Sequence, residues 1–138
     1  MPARDKYHDA VRNALIKDGW TITHDPFHLQ WDDKEEYVTT EDERLIAAHK
    51  LDQNIAVVIA PCLQPLPDAE LERSIDLCAV YRSVLAEQKP DCVLHLALPE
   101  EVVKDVFQEP LGRLLIEEGI ARIIGFDPVE EKIIQWIS

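Results

Sequence analysis

The feature that most restricts the fold is the unbroken run Ile-Ala-Val-Val-Ile-Ala at residues 55–60, bounded by Asp52-Gln53-Asn54 and by Pro61. A strand with one wet face alternates polar and apolar residues, whereas a continuous β-branched run is buried on both faces. The run is far shorter than the ~20 residues of a membrane helix. It predicts a central strand covered on both sides, and hence a layered mixed α/β chain. Asp52-Gln53-Asn54 is turn chemistry, so residues 45–50, beginning Leu-Ile-Ala-Ala, read as the other arm of a hairpin.

The remaining elements supply what such a strand needs. Residues 4–17 place Tyr7, Ala10, Val11, Ala14 and Leu15 on one side and stop at Asp18-Gly19, predicting an amphipathic helix. Residues 20–24 alternate and end at Asp25-Pro26, as a half-buried strand does. A polar loop rich in acids (Asp32, Asp33, Glu35, Glu36) precedes a short strand at 37–40. Asp68 caps a long helix through Gln88 with an apolar stripe of Leu71, Ile75, Cys78, Ala79 and Leu85. Residues 92–98 read as a buried strand, 99–107 and 110–118 as short helices, and 121–126 and 132–136 as strands around the turn Asp127-Pro128. No repeat, low-complexity tract or linker interrupts the 138 residues, so residues 1–138 are expected to form a single domain.

Charge and composition exclude several functions. Twenty-seven acids against 14 bases give a net charge of −13, which disfavours direct binding to a polyanion such as duplex DNA. A stripe of Arg4, His8 and Arg12 at helical spacing reads as a solvated face. No apolar leader follows the N-terminus, and a cytoplasmic location is the expectation. Cys62, Cys78 and Cys92 form no paired motif and read as reduced, buried thiols. The four glycines make no phosphate loop, and no serine stands in a nucleophile elbow. His24, Asp25 and His28 are the most metal-like cluster, but Pro26 breaks helical geometry and no third ligand follows at zinc spacing. His95, inside a buried strand, reads as a hydrogen-bonded core residue.

Several segments resemble one family. Met-Pro-Ala-Arg-Asp at the start, His8-Asp9-Ala10-Val11, the run Ala14-Leu15-Ile16-Lys17-Asp18-Gly19-Trp20-Thr21-Ile22-Thr23-His24-Asp25-Pro26, Leu45-Ile46-Ala47-Ala48, Tyr81-Arg82-Ser83-Val84-Leu85 and Phe107-Gln108-Glu109-Pro110-Leu111-Gly112 look like XisH, the cyanobacterial fdxN element excision controlling factor. The resemblance spans nearly the whole chain. It implies a role in excising a DNA element alongside a companion, XisI, and a restriction-endonuclease-like core of helix, three strands, helix and strand, followed here by helices and a hairpin.

Endonuclease-like members carry an Asp at one strand end and Glu-x-Lys on the next strand, where i and i+2 share a face and the carboxylates hold Mg²⁺. On this chain the Asp position reads Thr39, the Glu and Lys positions read Val58 and Ala60, and a Glu after Ala-Ala reads His49. A Gln-Tyr pair implied on the long helix reads Leu77-Cys78. Hard divalent cations need oxygen ligands, so no Mg²⁺, and no other metal or cofactor, is expected at these positions. The resulting expectation is a catalytically inactive factor acting through a XisI-like partner or as a homo-oligomer, with Ile134 and Trp136 of the terminal hairpin as docking residues. The alternative is a residual metal-dependent nuclease with displaced ligands, Asp9, Asp25 and His49.

Overall fold

The apolar run is the inner strand of a six-stranded mixed sheet. The computed structural model describes residues 6–24, 29–30, 37–38, 45–59, 68–88, 90–108 and 110–137. Helix α1 (Lys6–Lys17) leads into β1 (Thr21–His24); β2 (Leu29–Gln30) and β3 (Tyr37–Val38) pair in a small sheet of their own. Then come β4 (Leu45–Lys50), β5 (Gln53–Ile59), α2 (Asp68–Gln88), β6 (Cys92–Pro99), α3 (Glu100–Gln108), α4 (Pro110–Glu117), β7 (Arg122–Asp127) and β8 (Lys132–Ile137). The sheet order is β1-β4-β5-β6-β7-β8. β1, β4 and β5 form an antiparallel meander, and β6 and β7 run parallel to β5. Parallel neighbours need long crossovers. α2 supplies the first and α3 with α4 the second.

Strand periodicity divides the core in two. Leu45, Ala47, Ala56, Val58, Leu94, Leu96, Leu98 and Ile123 face α2, α3 and α4, packing with Cys78, Tyr81, Leu85, Val103 and Leu115. Ile46, Ala48, Ile55, Val57, Ile59, Ala97, Ile124 and Phe126 face α1, packing with Tyr7, Ala10, Val11 and Leu15. The Tyr7 and Phe126 rings meet edge to face at 5.5 Å, a favoured aromatic geometry.

Helices α1 and α4 stop in the same way. Gly19 and Gly119 take positive φ (94° and 66°), which costs a glycine nothing. The following amides, of Trp20 and Ile120, then bond back to Leu15 and Leu115 at 2.9 and 3.0 Å, satisfying carbonyls at the helix ends. Beyond α1, Lys50 donates to the Asp18 carbonyl at 2.7 Å, a favourable place for a cation at a helix C-terminus. Lys17 and Asn13 tie α1 to the β7–β8 turn through the Glu130 carbonyl and the Glu131 carboxylate (2.7 and 3.0 Å). Within that turn the Asp127 carboxylate accepts the amides of Glu130 and Val129, which hold its pKa below the usual carboxylate value.

Four expectations need correction. The β4–β5 turn is Leu51-Asp52, and Gln53 and Asn54 already belong to β5, because Leu51 absorbs the tight reversal at φ 54°. His8 is buried on α1, so Arg4, His8 and Arg12 do not form one solvated face; at 100° per residue, i+3 and i+7 spacing sets position 8 beside Val11 and Leu15. Ala79 is exposed, and Tyr81 and Val84 take its place in the α2 stripe. The segment between Asp25 and Glu36, read as a polar loop, contains β2. Both edge strands of the large sheet carry a one-residue bulge, at Thr23 and Ile134, a common device against edge-to-edge pairing.

Candidate functional site

Two places carry the functional question. The first is the face of the sheet under α2, where the resemblance puts metal ligands. Val58 lies there on β5, buried, between Leu45 of β4 and Leu96 of β6. Its cluster includes Tyr81 and Cys78, whose thiol is pushed up to about 12 by burial and is therefore uncharged and inert at neutral pH. Thr39, Ala60, Asp25, His28 and Cys62 lie outside the described residues, as does the side chain of Leu77.

The displaced set Asp9, Asp25 and His49 is not gathered by the fold as far as it is described. His49 stands at the far end of β4, opposite Asn54, whose side-chain oxygen lies 3.1 Å from its Nδ1. Four residues of strand separate it from the Leu45–Val58 pair, about 13 Å at 3.3 Å per residue. By alternation His49 shares the α2 side with Leu45 and Ala47, whereas Asp9 is exposed on α1, across the sheet. Among the described residues no group of three His, Cys, Asp or Glu side chains is arranged to hold a metal ion.

The second place is a groove of about 740 Å³ on the α1 side, where β5 and β6 begin. Helix α1 leaves this end of the sheet open, and aromatic residues from distant parts of the chain meet there. Trp20, just before β1, and Trp136, on β8, belong to opposite ends of the strand order, yet their rings are 5.8 Å apart. Right-handed twist accumulated over six strands brings these ends together. Trp20 is held by its indole N–H, which donates to the Asp18 carboxylate at 3.1 Å, and by the Lys50 ammonium 5.8 Å from its ring.

His95 forms the floor of the groove. It is buried, its ring meets Trp136 edge to face at 5.5 Å, and its Nδ1 lies 3.1 Å from the Val93 carbonyl, which fixes Nδ1 as the donor. Burial lowers its pKa to about 4; the Val93 bond opposes this, and the nearby Arg122 charge adds to it. At neutral pH His95 is therefore uncharged. Of the groove's lining residues Trp136 remains 41% exposed and Leu51, in the neighbouring turn, 83%; Ile134, outside the lining on the same strand as Trp136, is 38% exposed. For a chain this size, such apolar exposure around one groove is concentrated surface for contact. The sequence singled out Trp136 and Ile134, but Trp20 and the groove itself were missed, because their meeting depends on sheet coiling.

Comparisons with other proteins agree with this architecture. The sequence matches the family described as XisH protein over residues 1–134. Two crystal structures are similar throughout. An XisH family protein from Nostoc punctiforme PCC 73102 shares 31% identity at a TM-score of 0.83, covering 97% of this chain and all of that one. A fdxN element excision controlling factor protein from Anabaena variabilis shares 32% identity at a TM-score of 0.80, covering 98% of this chain and all of that one. No curated protein matches. With this match along nearly its full length, the chain belongs to the XisH family.

Proposed function

We propose that this protein is a non-catalytic controlling factor for excision of a DNA element, acting through contact with a XisI-like protein and needing no bound metal. The observation that carries this reading is Val58. A Glu at that buried position would lose its hydration among Leu45, Leu96 and Tyr81, and the described surroundings offer it no cationic or metal partner. The element order α1, then the β1-β4-β5 meander, then α2 and parallel β6, supports a restriction-endonuclease-like ancestry. Folds outlive the chemistry grafted on them, so that ancestry is compatible with a lost nuclease site. The partner surface is the groove around Trp136 together with the β7–β8 hairpin. Aromatic residues in desolvated grooves supply the largest single contributions to protein–protein binding. A cytoplasmic, single-domain protein suits this role, and self-association through the same surface would compete with the partner.

The test has two arms. A XisI-like protein titrated by calorimetry should bind, and Trp136→Ala should weaken it at least tenfold, about 1.4 kcal/mol or more. Supercoiled DNA incubated with the protein and Mn²⁺ should remain uncut. Metal-dependent nicking abolished by His49→Ala or Asp9→Ala would overturn the reading in favour of displaced ligands, and the same holds for a stoichiometric, His49-dependent Mn²⁺ site.

A further inference from the structure

At the same end of the sheet, where β6 and β7 begin and α2 and α4 end, lies a second pocket of about 440 Å³ that shares Val93 and Arg122 with the groove. Its walls are apolar, with Leu85 from α2, Leu94 from β6, Ile116 from α4 and Ile120 just beyond it. The charged residues lining it are Arg82 and Arg122, and no carboxylate lines it. That inverts the balance of a chain with 27 acids and 14 bases. Both arginines are exposed, and neither makes a hydrogen bond or ion pair among the described residues.

Solvated arginines on a surface need no partner, but these two share one apolar pocket. Like charges gathered beside a low-dielectric wall repel each other and attract an anion. Guanidinium pairs with carboxylate through two parallel hydrogen bonds, and the pocket volume falls in the ~300–1,000 Å³ range of small-molecule sites. We propose that this pocket binds a small amphipathic monoanion, a carboxylate on an aliphatic body. Arg82 and Arg122 hold the head group, and Leu85, Leu94, Ile116 and Ile120 cover the tail. Arg122 and Val93 also line the groove beneath Trp136, so the two sites adjoin, and Arg82, which of the two arginines lines only this pocket, tells them apart.

The probe is sodium octanoate, added below its micelle concentration to isotope-labelled protein and followed through backbone amide shifts. Saturable shifts should cluster at Leu85, Leu94, Gly119 and Ile120. Arg82→Gln and Arg122→Gln should each weaken binding about tenfold, with Arg82→Lys losing less because it keeps the charge. Acetate, lacking the tail, and 1-octanol, lacking the charge, should each bind at least tenfold more weakly than octanoate. The amide spectra of the variants report directly that they are folded. The proposal is overturned if the shifts do not cluster at this pocket, if the arginine variants bind octanoate like the parent, or if 1-octanol binds as tightly as octanoate.

Discussion

The two faces of the sheet are built from the same strands but solve different problems. The face under α2, α3 and α4 is covered by three described helices, and its core is almost wholly apolar. The opposite face has α1 across it, and at one end the cover gives way to a groove holding His95, Trp20, Trp136, Lys50 and Asp18. Every strand residue on the first face is one whose neighbour in sequence serves the second. A strand therefore cannot be optimised for one face alone, and β5 is apolar from Ile55 through Ile59 because both faces are buried there. The position that the resemblance assigns to a metal-binding Glu falls on the densely covered face, and the exposed aromatic surface falls on the other. The position implied for a metal ligand and the exposed aromatic surface are thus separated by the thickness of the sheet.

The most severe way to break this comparison is to return a carboxylate to the covered face. Val58→Glu should cost about 4–7 kcal/mol, the equivalent of the 3–5 pKa units by which full burial raises a carboxyl group. Urea denaturation at neutral pH would read the loss. Recovery of stability on adding Mn²⁺ would mean that the surroundings still hold a metal, contradicting the apolar description. On the same face, Tyr81→Ala should cost about 3–5 kcal/mol by opening a cavity in the close-packed cluster under α2. A cost near zero would show that this side is looser than its burial implies.

The groove side is sharpened by pH. His95 binds a proton with a pKa of about 4 when folded, against 6.5 as its ordinary value. Between these values the unfolded chain binds more protons, so stability is fully present above about pH 6.5 and is lost as pH falls toward 4. The loss attributable to His95 is about 3 kcal/mol at 1.36 kcal/mol per pKa unit. His95→Gln should flatten this part of the stability–pH curve relative to the parent, and parallel curves would mean the imidazole is solvated. The smallest effect belongs to the turn at the groove's rim. Leu51 holds positive φ while exposed, a conformation costly for a branched side chain. Leu51→Asn should raise stability by about 0.5–1 kcal/mol in thermal denaturation, and a decrease would show that the Leu51 side chain has contacts of its own.

Much of the architecture was legible because it follows from local periodicity. The stripe Tyr7, Ala10, Val11, Ala14 and Leu15 is buried as its spacing predicts, and the Asp18-Gly19 stop forms a glycine cap. β4 occupies residues 45–50, and Asp127-Pro128 opens the last turn. The failures are equally local in origin. Ala79 was placed inside because a small apolar residue is ambiguous, while Tyr81, with its hydroxyl, is the larger and deeper residue of α2. Leu51 was not read as a turn residue because leucine carries no turn signal. The candidate site divided along similar lines: apolar Val58 is visible in the sequence, and the distance between Asp9 and His49 is not.

By itself the sequence determined the order of helices and strands, the central place of β5, the acidic charge and the absence of carboxylates at residues 58 and 60. Each depends on residue type and spacing within a few turns of chain. Only the tertiary structure decided that Trp20 meets Trp136, that the buried His95 lies beneath them, and that Arg82 and Arg122 line one pocket. Those contacts join residues far apart in sequence through the coiling of a six-stranded sheet, a sum of small twists in every strand that no single segment encodes.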